Sequence, residues 1–216
     1  MVWNVEFHCH TRWSKDSLND PAALLRTLQQ RQLDRLFITD HNSIAGAKVA
    51  QALDPQHILI GEEIRTQQGE LLALFVREEV PARLPAQQTI QLLRQQGAFI
   101  SVSHPFDRQR GWQLPDLLDI LPQIDAIETF NARCLSNRPN QQAADFAAAH
   151  NLPGTVGSDA HTLAEVGRAT LHLPPFNDAE SLRQSIRHAT AQVRLSGWEV
   201  HLASTLARLY KRLANK

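Results

Sequence analysis

Short apolar runs alternate with amphipathic stretches along most of the chain. The runs Val2–Phe7, Leu36–Thr39, His57–Ile60, Leu71–Val76, Phe99–Val102, Asp125–Phe130, Leu152–Val156 and Ala169–Leu173 read as strands. Between them, helical periodicity predicts helices over Pro21–Gln32, Ile44–Leu53, Ala86–Gln96, Leu114–Leu121, Gln141–His150 and Ala179–Ala189. In the first helix, Leu24, Leu25 and Leu28 share a face, with Asp20 as N-cap and Pro21 in the first position. Gly97 marks the end of another helix, and Gln67-Gln-Gly-Glu70 marks a hairpin tip. Strands alternating with helices of about ten residues indicate parallel βαβ units. A (β/α) barrel carries its chemistry on the loops after its strands. A doubly wound open sheet would instead gather ligands at one crevice.

The end of the chain breaks this rhythm. From Val200 to Lys216, Leu202, Leu206, Leu209 and Leu213 form one helical stripe, with Arg208, Lys211, Arg212 and Lys216 beside or opposite it. We expect a barrel domain over residues 1–190 and an extension over 191–216 whose basic amphipathic helix packs its leucine stripe on the barrel. A membrane or nucleic-acid contact is the lesser alternative.

Composition narrows the partners. The 22 basic and 22 acidic residues cancel, so no whole-chain field favours a polyanion or an anionic membrane. The 216 residues suit one domain with a sizeable core. Two cysteines, Cys9 and Cys134, are too few for a disulfide framework, and no leader or spanning segment is evident. The expectation is a cytoplasmic protein without a membrane role. The oligomeric state is open.

The ten histidines change the picture, because five of them (His8, His10, His41, His104 and His161) stand at predicted strand ends. His8 and His10 are two apart in an extended segment, so both rings can face one ion while Cys9 turns away. Asp159 and His161 repeat this spacing in Gly157-Ser-Asp-Ala-His161. Asp16 lies in a polar loop close behind His10, and Asp40 precedes His41. In Gly61-Glu-Glu63, alternation sends Glu62 and Glu63 to opposite faces. Glu70 sits near the hairpin tip, and Glu128 and Asn131 sit near the end of their strand. Histidine and carboxylate donors without a thiolate cluster suit Zn²⁺, Mn²⁺ or Fe, with Mg²⁺ a further option. Eight or nine donors exceed one structural site and suit two or three ions. Closely spaced ions point to metal-assisted hydrolysis, with the bond cut left open.

The ordered set His8-Cys-His10, Asp16, Thr39-Asp-His41, Gly61-Glu-Glu63, Ser103-His-Pro105 and Gly157-Ser-Asp-Ala-His161 resembles the polymerase and histidinol phosphatase (PHP) family over about residues 3–190. The resemblance implies a distorted seven-stranded (β/α) barrel with a metal site at the C-terminal ends of its strands. It implies a small stand-alone phosphoesterase that uses a metal-activated water. It also implies that His8, His10, Glu63 and Asp159 hold one ion, and that Asp16, His41 and His161 hold another. Glu63 would bridge, and His104 would serve a third ion. Glu70 stands where some relatives carry histidine. Asn131 or Glu128 could complete that third shell. Asp159, His161 and Glu63 are the expected catalytic set. Arg133 and Arg108 are the expected substrate-phosphate ligands, because guanidinium grips phosphate in bidentate fashion. The expected substrate is a phosphorylated small molecule or short nucleic acid. Competing readings are an amidohydrolase-like hydrolase, which would need a bridging lysine that no strand end supplies, and a non-catalytic binding module.

Overall fold

The computed structural model describes residues 1–214. Sixteen regular elements follow in order: β1 (Trp3–Glu6), α1 (Pro21–Gln30), β2 (Arg35–Ile38), α2 (Ala45–Leu53), β3 (Ile58–Arg65), β4 (Glu70–Leu74), α3 (Ala86–Gln95), β5 (Phe99–Val102), α4 (Leu114–Ile120), β6 (Ala126–Asn131), α5 (Arg138–Ala149), β7 (Gly154–Gly157), β8 (Ala169–Leu173), α6 (Ala179–Ser185), β9 (Thr190–Val193) and α7 (Glu199–Ala214).

The strands form one mixed sheet in the order β7-β6-β5-β4-β3-β2-β1-β8-β9. Nine strands replace the expected seven. The sheet curls so far that its β7 end meets β1. A parallel bridge between Cys9 and Ala160 joins the exits of those two strands, with His10 N–H donating to Ala160 O at 2.9 Å. Strands β1 to β7 thus make a near-closed barrel. The antiparallel pairs β1–β8 and β8–β9 add two strands outside that circuit. The sheet is not purely parallel either, since β4 runs antiparallel to both β3 and β5. That reversal brings Glu70, the first residue of β4, to the same end as the exits of β3 and β5. The domain boundary expected at residue 190 falls inside β9, which pairs with β8 from Ala169↔Val193 to His172↔Thr190.

Local chemistry explains most element ends. Asp20 accepts hydrogen bonds from the amides of Ala22 (3.0 Å) and Ala23 (3.4 Å), and Pro21 opens α1. Asp178 and Ser181 form a reciprocal capping box on α6. Helix α5 begins three residues before its expected start, because Pro139 supplies a first-turn residue. The core has three parts. Leu24, Leu28, Leu36, Ile38, Ala47 and Ala50 join α1 and α2 to the sheet. Ile90, Leu93, Ile100, Leu117 and Ile127 do the same for α3 and α4. Between them Phe7, Phe37, Phe99 and Phe176 fill the barrel, with Phe7 and Phe37 stacked at 5.4 Å.

Helix α7 forms on the expected segment and lies on the barrel, but by the face opposite to the one expected. Val200, Ser204 and Ala207 are buried, while Leu202, Leu206, Leu209 and Leu213 face solvent. Lys216, included in the expected helix, lies outside the described residues. No helix among the described residues is long and apolar enough to cross a membrane.

Candidate metal centre

The polar end of the barrel brings together all nine residues expected to hold metal. His8 and His10 leave β1, His41 follows β2, Glu63 lies within β3 and Glu70 opens β4. His104 follows β5, and Asp159 and His161 follow β7. Asp16 comes from the loop before α1. Two of these exits are tight: His104 and Asp159 adopt positive φ angles of 26° and 51°. Such conformations cost energy away from glycine and recur where a side chain must be aimed.

Glu63 sits in the middle of three groups. One oxygen, Oε1, lies 3.4 Å from His8 Nε2 and 3.1 Å from His104 Nε2. The other, Oε2, lies 3.4 Å from His10 Nε2 and 2.9 Å from His41 Nδ1. Asp159 Oδ1 completes the first group, 3.6 Å from His8 Nε2 and 3.2 Å from His10 Nε2. Asp16 Oδ1 joins His161 Nε2 (3.3 Å) and His41 Nε2 (3.6 Å) in the second. Glu70 Oε2 stands 3.4 Å from His104 Nε2 in the third.

Two observations test whether these residues fit divalent ions. Ligands about 2.1 Å from one ion at tetrahedral angles stand about 3.4 Å from each other, which matches the first group. The inward atoms His8 Nε2, His10 Nε2, Asp16 Oδ1, Glu63 Oε2 and Asp159 Oδ1 are buried without a hydrogen-bond partner. Buried polar atoms are rarely left so, and four of them in the first group, with Asp16 Oδ1 in the second, call for cations. The donor set fits.

The outer side of each ring shows how it is aimed. His8 Nδ1 bonds Glu128 at 2.8 Å. Glu128 also accepts from His104 N–H at 2.8 Å and from the Asn131 amide at 3.0 Å. Glu128 and Asn131 therefore stand behind the ligands rather than completing a third shell. His10 Nδ1 lies 3.0 Å from Ser14 Oγ, whose single proton goes to Asp40 at 2.6 Å. His10 must then donate from Nδ1, which leaves its Nε2 lone pair free for a cation. His161 donates from Nδ1 to the Asp159 carbonyl at 2.7 Å, with the same result. Asp40 accepts from the Thr11 amide at 2.7 Å as well as from Ser14 and so fixes the loop that carries Asp16.

The proton balance agrees. Burial, followed by the neighbouring His161 and His41, pushes His10 down to about 3, so it is neutral. Burial likewise lowers His161. Against the opposing effect of burial, Glu63, Asp159 and Glu128 raise His8. Glu63 overcomes burial in the same way and lifts His41 to about 9. Burial works against ionisation of Asp159, yet His8 and Arg110 hold its carboxyl well below the usual range. Without a cation, protons on His8 and His41 balance the carboxylates, and ion binding would displace them.

Three polar residues at this end escaped sequence reasoning. Arg110 donates to Asp159 Oδ2 at 2.6 Å, leaving Oδ1 turned inward. Arg108, expected near the substrate, is exposed, and Arg110 two residues on occupies the site. Glu6, whose pKa burial raises to about 7, accepts from the amides of Ser158 (2.9 Å) and Gly167 (3.1 Å) and ties β1 to the Asp159 loop. Lys211 on α7 donates to the carbonyls of Arg12 (2.5 Å) and Ser14 (2.6 Å). Arg133 is buried beneath α7, bonding Ser204 Oγ at 2.7 Å and Val200 O at 3.3 Å, and lies 3.5 Å from Glu165. Its Nη1 makes that ion pair and no hydrogen bond. No local spacing could have revealed contacts made across the barrel by residues so far apart in sequence.

Comparison with known proteins gives the relationship. Residues 137–191 match a family model described as PHP-associated. An uncharacterized protein of Methanocaldococcus jannaschii is 35% identical over 178 residues, 80% of this chain and 71% of that one. PsfC from Pseudomonas syringae shares the fold with a TM-score of 0.69 at 20% identity over 99% of both chains. A putative metal-dependent phosphoesterase from Bifidobacterium adolescentis gives 0.61 at 16% identity over 83% of this chain and 94% of its own. An amidohydrolase from Chromobacterium violaceum, solved with bound sulfate and no metal, gives 0.62 at 14% identity, covering 92% and 96%. With the family model, the relative and the ordered ligand motifs in agreement, the chain belongs to the PHP (polymerase and histidinol phosphatase) family.

Proposed function

We propose that the protein is a metal-dependent phosphoesterase acting on a phosphate mono- or diester of a small metabolite, a nucleotide or an oligonucleotide end. The observation that carries this reading is the position of Glu63, with each carboxylate oxygen shared between two histidines of different groups. Such sharing suits a carboxylate that bridges closely spaced ions.

His8, His10, Glu63 and Asp159 would hold one divalent ion, Asp16, His41 and His161 a second, and His104 with Glu70 a third. Bound there, two or three ions would supply Lewis acidity, an acidified water at neutral pH and a clamp for phosphoryl oxygens. The chain's own residues do the rest. Glu128, Ser14 and the Asp159 carbonyl engage three imidazoles at Nδ1 and so aim their Nε2 atoms at the centre. Arg110 fixes the rotamer of Asp159 and places a permanent positive charge beside the centre. Arg133, whose Nη1 lies 3.5 Å from Glu165, is the second cation beside the centre that a substrate phosphate could meet. Burial of the ligands excludes bulk water, which strengthens every one of these interactions.

The amidohydrolase alternative has the likeness to the Chromobacterium violaceum protein behind it. Against it, no described lysine lies in a strand: Lys15 is in a loop, Lys48 in α2 and Lys211 in α7. The bridging position belongs to Glu63. The deciding experiment compares hydrolysis of aryl phosphate mono- and diesters with a panel of amides, using Mn²⁺- or Zn²⁺-loaded protein and its Asp159→Ala variant. Phosphoester turnover that falls at least 100-fold in the variant is expected. Amide turnover without phosphoester turnover, or full activity in metal-loaded Asp159→Ala, would overturn the reading.

A further inference from the structure

Helix α7 presents two faces of opposite character. Val200, Ser204 and Ala207 are buried on the barrel, and Lys211 on the same side anchors the loop of Arg12 and Ser14. Leu202, Leu206, Leu209 and Leu213 each lie two residues beyond one of these. At about 100° per residue that turns each of them about 200° round the helix, so the leucines point straight outward. They are 48–73% exposed, and the neighbouring Trp198 and Tyr210 are 70% and 63% exposed. A contiguous apolar surface of this kind marks an interaction site.

The spacing of the leucines, four then three then four, is that of the a and d positions of a heptad repeat. We propose that this seam is covered by α7 of a second copy of the chain, the two helices running antiparallel about a two-fold axis. The stripe spans only about 60° of the helix, narrower than the roughly 100° that a broad apolar surface takes, and a second helix fits so narrow a line. A lipid surface suits it less. The formal net charge is zero, and two basic residues of α7 are turned away from the seam: Arg208 lies 3.7 Å from Asp16, and Lys211 is bonded to two carbonyls. Charge sets the direction. Exposed Glu199 stands at the start of α7 and exposed Arg212 near its end. Antiparallel pairing brings the Glu199 end of one helix to the Arg212 end of the other and opposes the helix dipoles, whereas parallel pairing sets Arg212 against Arg212. Two heptads alone make a weak coiled coil. Here the barrel already holds α7 helical, so little ordering remains to oppose association.

In this arrangement Leu206 of one copy meets Leu209 of the other, and Leu202 meets Leu213. The test is sedimentation velocity of the whole chain over about 1 to 100 µM, beside Leu206→Glu/Leu209→Glu. We expect a concentration-dependent dimer for the parent and a monomer throughout for the variant, with an unchanged melting temperature because both positions are exposed. Direction is read by oxidation. Leu202→Cys and Leu213→Cys proteins should each stay uncrosslinked alone and crosslink when mixed, since identical positions lie about 16 Å apart along the antiparallel seam. Native Cys9 and Cys134 are buried and do not compete. A parent that stays monomeric at 100 µM, a dimer that survives the double substitution, or self-crosslinking of Leu202→Cys would each overturn the proposal. So would a monomeric parent that binds phosphatidylserine-containing vesicles through the same leucines.

Discussion

Glu62→Gln separates two adjacent carboxylates that a linear reading of the chain can hardly tell apart. Glu63 points into the centre, whereas Glu62 points to the other face of β3. There it is buried with one hydrogen bond, from Val80 N–H at 3.3 Å, and its Oε1 has no partner. Burial, aided by the nearby charge of Glu79, raises its pKa from an ordinary 4.5 to about 8. The folded protein therefore keeps a proton that the unfolded chain gives up, and stability falls as pH rises from 4.5 through about 8. At 1.36 kcal/mol per pH unit, that interval caps the cost at about 5 kcal/mol, and relaxation around the charge brings it nearer about 3 kcal/mol. Glutamine mimics the neutral acid. In thermal unfolding with chelator present, Glu62→Gln should differ from the parent by less than about 1 kcal/mol at pH 5. It should melt roughly 6 to 12 °C higher at pH 9. A difference that does not change with pH, or a variant destabilised at both, would refute a buried, protonated Glu62.

Two further substitutions probe the supports of the centre. Glu128→Gln removes the carboxylate behind His8 while keeping its shape, and metal affinity measured by competition with a chelating dye should fall about 10- to 100-fold. Gly157→Ala would drive a methyl group into His8 Cβ and Glu128 Oε1, so we expect a loss of about 2–3 kcal/mol in denaturant unfolding, together with weaker metal binding.

The order of elements was legible because it rests on short-range rules, and most of the candidate ligands because those rules agree with the family motifs. Strand runs end where chemistry begins, and an extended His-x-His must put both rings on one side. Alternation correctly parted Glu62 from Glu63. What stayed hidden depends on closure of the barrel. The strand β9, Thr190-Ala-Gln-Val193, has all four residues exposed, so it shows no half-buried alternation and forms only because β8 offers an edge. The antiparallel pairing of β4 with β3 follows from the hairpin tip at Gln67-Gln-Gly-Glu70, which was legible, whereas its antiparallel pairing with β5 was not. The leucine stripe of α7 misled because apolar periodicity locates a face without saying what it meets. Here the barrel takes Val200, Ser204 and Ala207 because Arg133, Asp16 and two loop carbonyls reward the polar neighbours on that side. Arg108 was preferred to Arg110 for want of any local signal; only the fold shows which one reaches Asp159.

The central claim is that one buried carboxylate organises a multinuclear centre. The most direct test counts divalent ions by elemental analysis in tag-free protein reconstituted with Mn²⁺ or Zn²⁺ and then desalted, for the parent and for Glu63→Gln. Two or three ions per chain in the parent and at most one in the variant are predicted. A parent that retains none, or a Glu63→Gln protein that keeps the full complement, would contradict the account.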